Sequence, residues 1–491
     1  MVCSGHNVRR HNTVAVKTIV ERTIRIITLL MFCLLQVTKP VQNCDSLFPF
    51  PTRFVMPIDL IIENAAQLVT CASGGKPKRR TELQNVGLIE NGAIAIDKGE
   101  IVGVGASDKI RGQFKAATMI DATGQTVAPG FVDCHTHIVF AGNRFDEFEL
   151  KIKGADYLEI LAAGGGIIST VRQTRNATET ELSEQTRKRL DRMLALGTTT
   201  AEVKTGYGLE TATELKMLDV IAELDQTHFL DLIPTFLPAH ALPPEFVPEV
   251  QSPKSKVQSP SDEYVKLICN EMLPLAAAWY KDLHFALDKT PLFCDVFCEQ
   301  NAFNLAQSER VLETAKTLGF GLKAHVDEFN NLGGARMAIE LGATTIDHLD
   351  QTSEAEIELL AESQTIAVVT PTVNFNFGSK EFADARKLIE SGCAVAVSTD
   401  YNPGSAPCPS LPVAMAIACR YQKLLPSEAL NAATINAAFA VGMGDKIGSL
   451  EVGKQADVLI LETNDYRQIA YEFGANSVKT VIKKGRIVLG N

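Results

Sequence analysis

Eight short apolar runs recur between residues 127 and 399, and most of them are followed by a stretch with helical spacing. They are Val127–Val132, Thr198–Val203, Asp231–Leu237, Phe293–Phe297, Gly321–Val326, Thr344–His348, Ile366–Thr370 and Ala394–Thr399. Strands alternating with helices are the signature of parallel βα units. Among the intervening helices, Leu182–Leu196 is apolar on one face and carries Arg187, Lys188, Arg189 and Arg192 on the other. Gly333–Leu341 joins two strands in the shortest complete unit. Eight units over roughly 300 residues fit an α/β fold of the (β/α)8 TIM-barrel type. An open doubly wound sheet has the same local texture but gives no reason for what stands at the strand ends.

On either side the texture changes. From Met56 to about Ala128, short strands broken by glycine turns (Ile58–Ile62, Ala93–Ile96, Ile101–Val104, Met119–Asp121) read as an all-β module. Val458–Leu461 and Val478–Lys483 repeat that pattern near the other end. Terminal segments often lie close together, so the two can form one domain. The expected organisation is a small β-sandwich from 58–128 and 446–491, built onto a barrel from 129–445. Residues 1–57 stand apart. Arg9, Arg10, Lys17, Arg22 and Arg25 precede an apolar run, Ile26–Val37, that is shorter than the roughly 20 residues a bilayer span needs. This order resembles a signal peptide, and its excess of arginine over acids also suits a mitochondrial presequence. The segment is treated as an extension and left out of the fold. A Ser/Pro/Lys-rich stretch near 252–260 reads as a flexible surface excursion.

Histidine placement narrows the function. Seven of the nine histidines lie beyond residue 57, and five of those fall at or just past the ends of predicted strands: His135, His137, His240, His325 and His348. In a barrel those ends share one mouth, where active sites are built. His228 and His284 do not point there. In Cys134-His135-Thr136-His137, residues i and i+2 of an extended strand project to one side, so both imidazoles can meet one metal. With His325 on the fifth strand and Asp400 after the eighth, the set is three imidazoles and a carboxylate. That set suits Zn2+ or Fe2+ with a position left for water. Glu328, three residues after His325, and His348, ending the next strand, stand beside it. Asp347 is expected to point the other way.

These residues sit in longer recognisable runs. His135-Thr136-His137 after Pro129-Gly130-Phe131-Val132-Asp133 resembles the amidohydrolase superfamily, whose members join a barrel to a β-sandwich. His137 through Arg144, Gly164-Gly165-Gly166-Ile167, Lys204-Thr205-Gly206-Tyr207-Gly208-Leu209, His325-Val326-Asp327-Glu328-Phe329, Asp347-His348-Leu349 and Asp400 through Ser405 resemble its imidazolonepropionase family in particular. The match runs from about residue 58 to 491. It implies hydrolysis of 4-imidazolone-5-propanoate to N-formimino-L-glutamate, the third step of histidine degradation. By the same resemblance, His135, His137, His325 and Asp400 hold one divalent ion per chain. Arg144, Tyr207, His240, Glu328, Asn402, Gly404 and Ser405 meet the small-molecule substrate. Ser405 stands where the family more often has threonine, which keeps the hydroxyl.

The chemistry has a use for each group. A metal lowers the pKa of its water toward about 7. Asp400 and His348 are both placed to take the proton, and the resemblance favours His348. His240 and the metal are the candidates to meet the oxyanion, and Glu328 can deliver a proton to the departing ring nitrogen. Arg144 offers a planar fork to the propionate. The alternatives are another mononuclear cyclic amidohydrolase or deaminase of the superfamily, or a non-catalytic barrel serving as an interaction protein. Strand 4, Phe293–Phe297, has no lysine of the kind that bridges two metals, so one ion is expected. A formal net charge of −11 argues against nucleic acid or an anionic membrane as partner. Eleven scattered cysteines, Cys294 and Cys298 included, look like reduced thiols of a cytoplasmic enzyme. A homodimer is compatible with all of this.

Overall fold

The computed structural model describes residues 56–154, 165–246, 260–281 and 283–490. Almost all of the 1–57 extension, residues 252–259 of the Ser/Pro/Lys stretch and Gly164 of the glycine run lie outside the described residues. No described helix is long and apolar enough to cross a membrane.

The N-terminal strands are β1 (Met56–Val69), β2 (Leu88–Asp97), β3 (Glu100–Ala106), β4 (Phe114–Asp121) and β5 (Thr126–Pro129). The barrel strands are β6 (Phe131–Asp133), β7 (Thr198–Lys204), β8 (Asp231–Ala239), β9 (Phe293–Cys298), β10 (Gly321–Val326), β11 (Thr345–His348), β12 (Ile366–Val369) and β13 (Ala394–Val397). The chain ends with β14 (Val458–Leu461), β15 (Val478–Lys483) and β16 (Arg486–Leu489). The first and last groups form one mixed sheet, joined where β5 runs antiparallel to β14 and parallel to the second half of β1. Alternation along these strands places Leu60, Ile62, Ile94, Ile96, Val127, Val458 and Ile460 in one apolar cluster.

From β6 to β13 every neighbour pairs in parallel, in chain order. The seam between β6 and β13 is closed differently. One isolated bridge joins Thr136 and Tyr401, and the His137 amide donates to the Tyr401 carbonyl at 2.9 Å. Just below, the Asp133 carboxylate accepts from the Thr399 amide (3.1 Å), the Thr399 hydroxyl (2.6 Å) and the Ser398 hydroxyl.

Three expectations needed correction. The first barrel strand does not run from 127 to 132. Thr126–Pro129 belongs to the flanking sheet, and the barrel begins after Gly130, where a Cβ would meet the Thr199 hydroxyl at 2.2 Å. The helix expected over 182–196 spans Glu179–Ala195, because Thr178 and Glu181 form a capping box that starts it a turn earlier. Arg189 does not lie on the solvated face. It is buried and donates to the Ile138 and Phe140 carbonyls (2.9 and 2.8 Å) beneath the loop that leads to Arg144.

Candidate metal centre

The donor atoms gather at the C-terminal ends of the barrel strands. His135 and His137 follow β6, His325 lies in β10, His348 ends β11 and Asp400 follows β13. His135 Nε2 is 3.3 Å from His137 Nε2, which is 3.3 Å from His325 Nε2. Asp400 Oδ1 is 3.4 Å from both His135 and His137 Nε2. Four donors at tetrahedral corners, each about 2.0–2.1 Å from one ion, stand about 3.3–3.4 Å apart. All four side chains are buried.

These short approaches are not hydrogen bonds among histidines. His135 Nδ1 lies 2.6 Å from an Asp347 carboxylate oxygen, so its proton sits there and Nε2 presents a lone pair. Burial first, and then neighbouring positive groups, hold His135 and His137 well below the usual imidazole range, in the neutral form a metal takes. Asp400 Oδ1 is buried with no hydrogen-bond partner, and burial pushes that carboxyl up to about 7. Converging lone pairs and an orphaned carboxylate oxygen fit a divalent cation, which satisfies all of them together.

His348 was expected beside the ligands, and its strand end brings it there. Its backbone turns to φ 81°, which interrupts the alternation of β11. Asp347 keeps the alternation, in register with His325 on β10, and so points into the barrel, contrary to the sequence expectation; the break at His348 brings the next side chain to the mouth as well. Asp347 reaches under the centre to His135, while His348 rises beside it, within 4.0 Å of Glu328. Thr370 Oγ1 lies 3.1 Å from His348 Nδ1 and fixes the ring. Burial, and then the charge of Asp400, raises the Glu328 carboxyl well above its usual range. The Glu299 carboxylate secures the loop that carries Glu328, accepting from the amides of Phe329 (3.0 Å) and Asn330 (3.1 Å).

A cavity of about 570 Å³ opens above the ligands, lined by Arg144, Tyr207, His240, Glu328, Asn402, Gly404 and Ser405 among others. The sequence thus brings every expected substrate residue to one space, though not all with a free hand. Arg144 is held by Glu147, with Nε donating at 2.7 Å and Nη2 to the other oxygen. Burial opposes ionisation of Glu147, but hydrogen bonds from Arg144 and Lys151 outweigh it and bring the carboxyl down to about 2. Gly404 lies against the same guanidinium. Asn402 uses its carbonyl oxygen for the amides of Gly404 and Ser405 (both 2.8 Å), and its amide nitrogen for the Asp400 carbonyl and the Ser405 hydroxyl (both 2.7 Å). It therefore shapes the loop. His240 Nδ1 is 3.0 Å from the Gly206 carbonyl, which can only accept, so the Nε2 of the neutral ring carries a lone pair. The loop bearing Tyr207 is tied by the buried Glu214 carboxylate, which accepts from Gly208 (2.7 Å) and Leu209 (2.8 Å).

Beneath the ligands is a set of charged residues that sequence reasoning missed. Lys204, Glu202, Asp295, Lys323 and Asp347 are fully buried inside the barrel. Lys204 Nζ is 2.6 Å from Glu202 and 2.7 Å from Asp295, and Asp295 is 3.1 Å from His325 Nδ1. Burial disfavours the Lys204 charge, but Asp295, Glu202 and Asp347 more than offset it. The available signal was Glu202 and Lys204 at i and i+2 of one strand. His228 and His284 pair with Asp191 and Asp225 and take no part in the site.

Barrel, flanking sheet and ligand cluster together define an amidohydrolase, and the amidohydrolase family model matches residues 300–488. An adenosine deaminase from Xanthomonas campestris with bound zinc shares the fold, with TM-score 0.64 and 23% identity over 89% of this chain and 94% of its own. The Escherichia coli guanine deaminase does so with TM-score 0.62 and 16% identity, over 88% and 99%. The imidazolonepropionase of Chloroflexus aggregans is 52% identical over 435 residues, covering 89% of this chain and 99% of that protein. That of Geobacillus kaustophilus is 42% identical over 437 residues, covering 88% and 98%. The chain belongs to the imidazolonepropionase family.

Proposed function

We propose that the chain hydrolyses the ring amide of 4-imidazolone-5-propanoate, giving N-formimino-L-glutamate. The observation that carries this reading is the donor cluster of His135, His137, His325 and Asp400, with neighbouring donor atoms 3.3–3.4 Å apart, facing a cavity that Arg144 also lines. His135, His137, His325 and Asp400 would hold one divalent ion per chain, zinc or ferrous iron. When bound, that ion supplies Lewis acidity and brings the pKa of water toward about 7.

The chain's own groups divide the remaining work. His348 takes the proton of the attacking water at Nε2, with Thr370 steadying the opposite ring nitrogen. Asp400 is the second acceptor within the cluster. Water oxygen adds to the ring carbonyl carbon, the carbon–nitrogen bond breaks, and Glu328 delivers a proton to the departing nitrogen. Its raised pKa suits it to arrive protonated. Arg144, braced by Glu147, receives the propionate. His240 is better placed to accept from a ring N–H than to donate to an oxyanion, because its proton is committed to Gly206. Ser405 contributes a hydroxyl, and Tyr207 an apolar wall with a hydroxyl.

The same reading makes 129–445 the catalytic barrel, 58–128 and 446–491 a small supporting domain, and 1–57 an extension without a part in catalysis. It also makes the enzyme cytoplasmic, with a homodimer as the assembly to test. Purified protein should consume fresh 4-imidazolone-5-propanoate, followed by loss of ring absorbance, and should stop after chelation. Metal-loaded protein that leaves this substrate intact would overturn the reading.

A further inference from the structure

The ligand histidines do not stand alone. His135 leans on Asp347 (2.6 Å) and His325 faces Asp295 (3.1 Å), and these two aspartates come from different strands, β11 and β9. One ammonium lies between them. Lys204 Nζ is 2.7 Å from Asp295 Oδ2 and 3.8 Å from Asp347 Oδ2, the same two oxygens that face the histidines. Its third neighbour, Glu202, is 2.6 Å away and also accepts from the Thr235 hydroxyl at 2.6 Å. Lys323 approaches Glu202 at 3.5 Å and donates to the Cys134 carbonyl at 3.2 Å, next to His135. All five charged side chains have no exposed surface.

We infer that Lys204 is a positioning residue for the metal ligands: its ammonium fixes Asp295 and Asp347, and through them aims His325 and His135. The inference rests on the metal reading above and adds a part for a residue that touches neither ion nor substrate. Two physical facts support it. Groups that hold the far nitrogen of a ligand histidine set its ring orientation, and their loss typically costs 10–100-fold in metal affinity. Charge balance supplies the second. Three buried carboxylates face two ammoniums, which leaves an excess of negative charge, and the buried Asp400 and Asp133 add to it. A divalent cation at the ligand cluster offsets this buried negative charge, and removing the Lys204 ammonium would enlarge it.

The test compares wild type with Lys204→Met, which keeps length and removes charge, and with Asp295→Asn. Each is loaded with zinc and titrated with a competing chelator, then loaded with Co2+ for its visible ligand-field spectrum. Wild type should hold one ion. Lys204→Met should release it 10–100-fold more readily and show shifted cobalt bands, while KM for substrate in the loaded protein changes little. If Lys204→Met does not fold, Asp295→Asn carries the test with the same expected loss. A folded variant with wild-type retention and an unchanged cobalt spectrum would overturn the inference. A wild-type protein that holds no divalent ion would instead overturn the metal reading beneath it.

Discussion

A methyl group added at Gly404 would stand 2.0 Å from Nη1 of Arg144 and 2.6 Å from the guanidinium carbon. Its backbone is not in the left-handed region, so alanine is conformationally acceptable there and the whole effect falls on the arginine. Ordinary contact needs about 3.5 Å, so the guanidinium must retreat by about 1.5 Å. That is enough to break its paired contacts with Glu147 and to misplace the nitrogen that would meet the propionate. A charge-assisted hydrogen bond is worth about 1.5–3 kcal/mol, so Gly404→Ala should raise KM about 10- to 100-fold. Because the contact is the same in ground and transition states, kcat should fall far less. The buried Glu147 carboxylate then keeps only Lys151 and the Gly166 amide, so the melting temperature should also fall by a few degrees. In an Arg144→Lys background, itself raised in KM, the added methyl should cost little more, since its target is gone. Steady-state kinetics and a melting curve on the four proteins decide the matter. A folded Gly404→Ala with KM within a factor of about two of wild type would refute the assignment of Arg144 to the propionate.

Other outcomes follow from the same geometry. Elemental analysis of a fully loaded preparation should give one ion per chain, and two would overturn the mononuclear assignment. Asp400→Asn should lose most metal and activity while the fold, read by circular dichroism, survives. His348→Ala should keep its metal and lose about 10²–10⁴-fold in kcat, the usual range for a general base. Loss of the ion from that variant would make His348 a ligand instead. A chain begun near Met56 should bind metal and turn over substrate as the full chain does, and a melting point several degrees lower would show that the extension packs on the body.

What the sequence made legible was local. His135 and His137 declare themselves by i, i+2 spacing after an apolar strand, and His240, His325 and His348 by their position at strand ends. What it hid depended on backbone turns or on distant partners. With His348 taken to face the mouth, strict alternation turns Asp347 away, whereas the φ of 81° at His348 lets both face inward. The strand expected over 127–132 gave no sign that Gly130 passes the chain from one sheet to another. Lys204 and Glu202 stand in a run that apolar patterning assigns to a barrel core, and their partner Asp295 lies 91 residues away from Lys204 in the chain. Glu214 looks like an ordinary first-turn helix acid, yet its carboxylate holds the loop of Tyr207.

The seam between β6 and β13 has a consequence for how the barrel holds itself shut. No ladder of backbone hydrogen bonds joins these two strands; among the described residues one bridge crosses the seam, together with the grip of Asp133 on Ser398 and Thr399 and the Ser398 hydroxyl on the His135 carbonyl (2.8 Å). His135 and His137 stand on one lip of that gap and Asp400 on the other. An ion held by all three would act as a clasp, lacing the first βα unit to the last, and its binding energy would count directly toward closure. Stripping the ion should therefore loosen the molecule unevenly. Amide exchange should quicken first along Phe131–His137 and Val397–Tyr401, while the β8–β9–β10 side of the barrel stays protected.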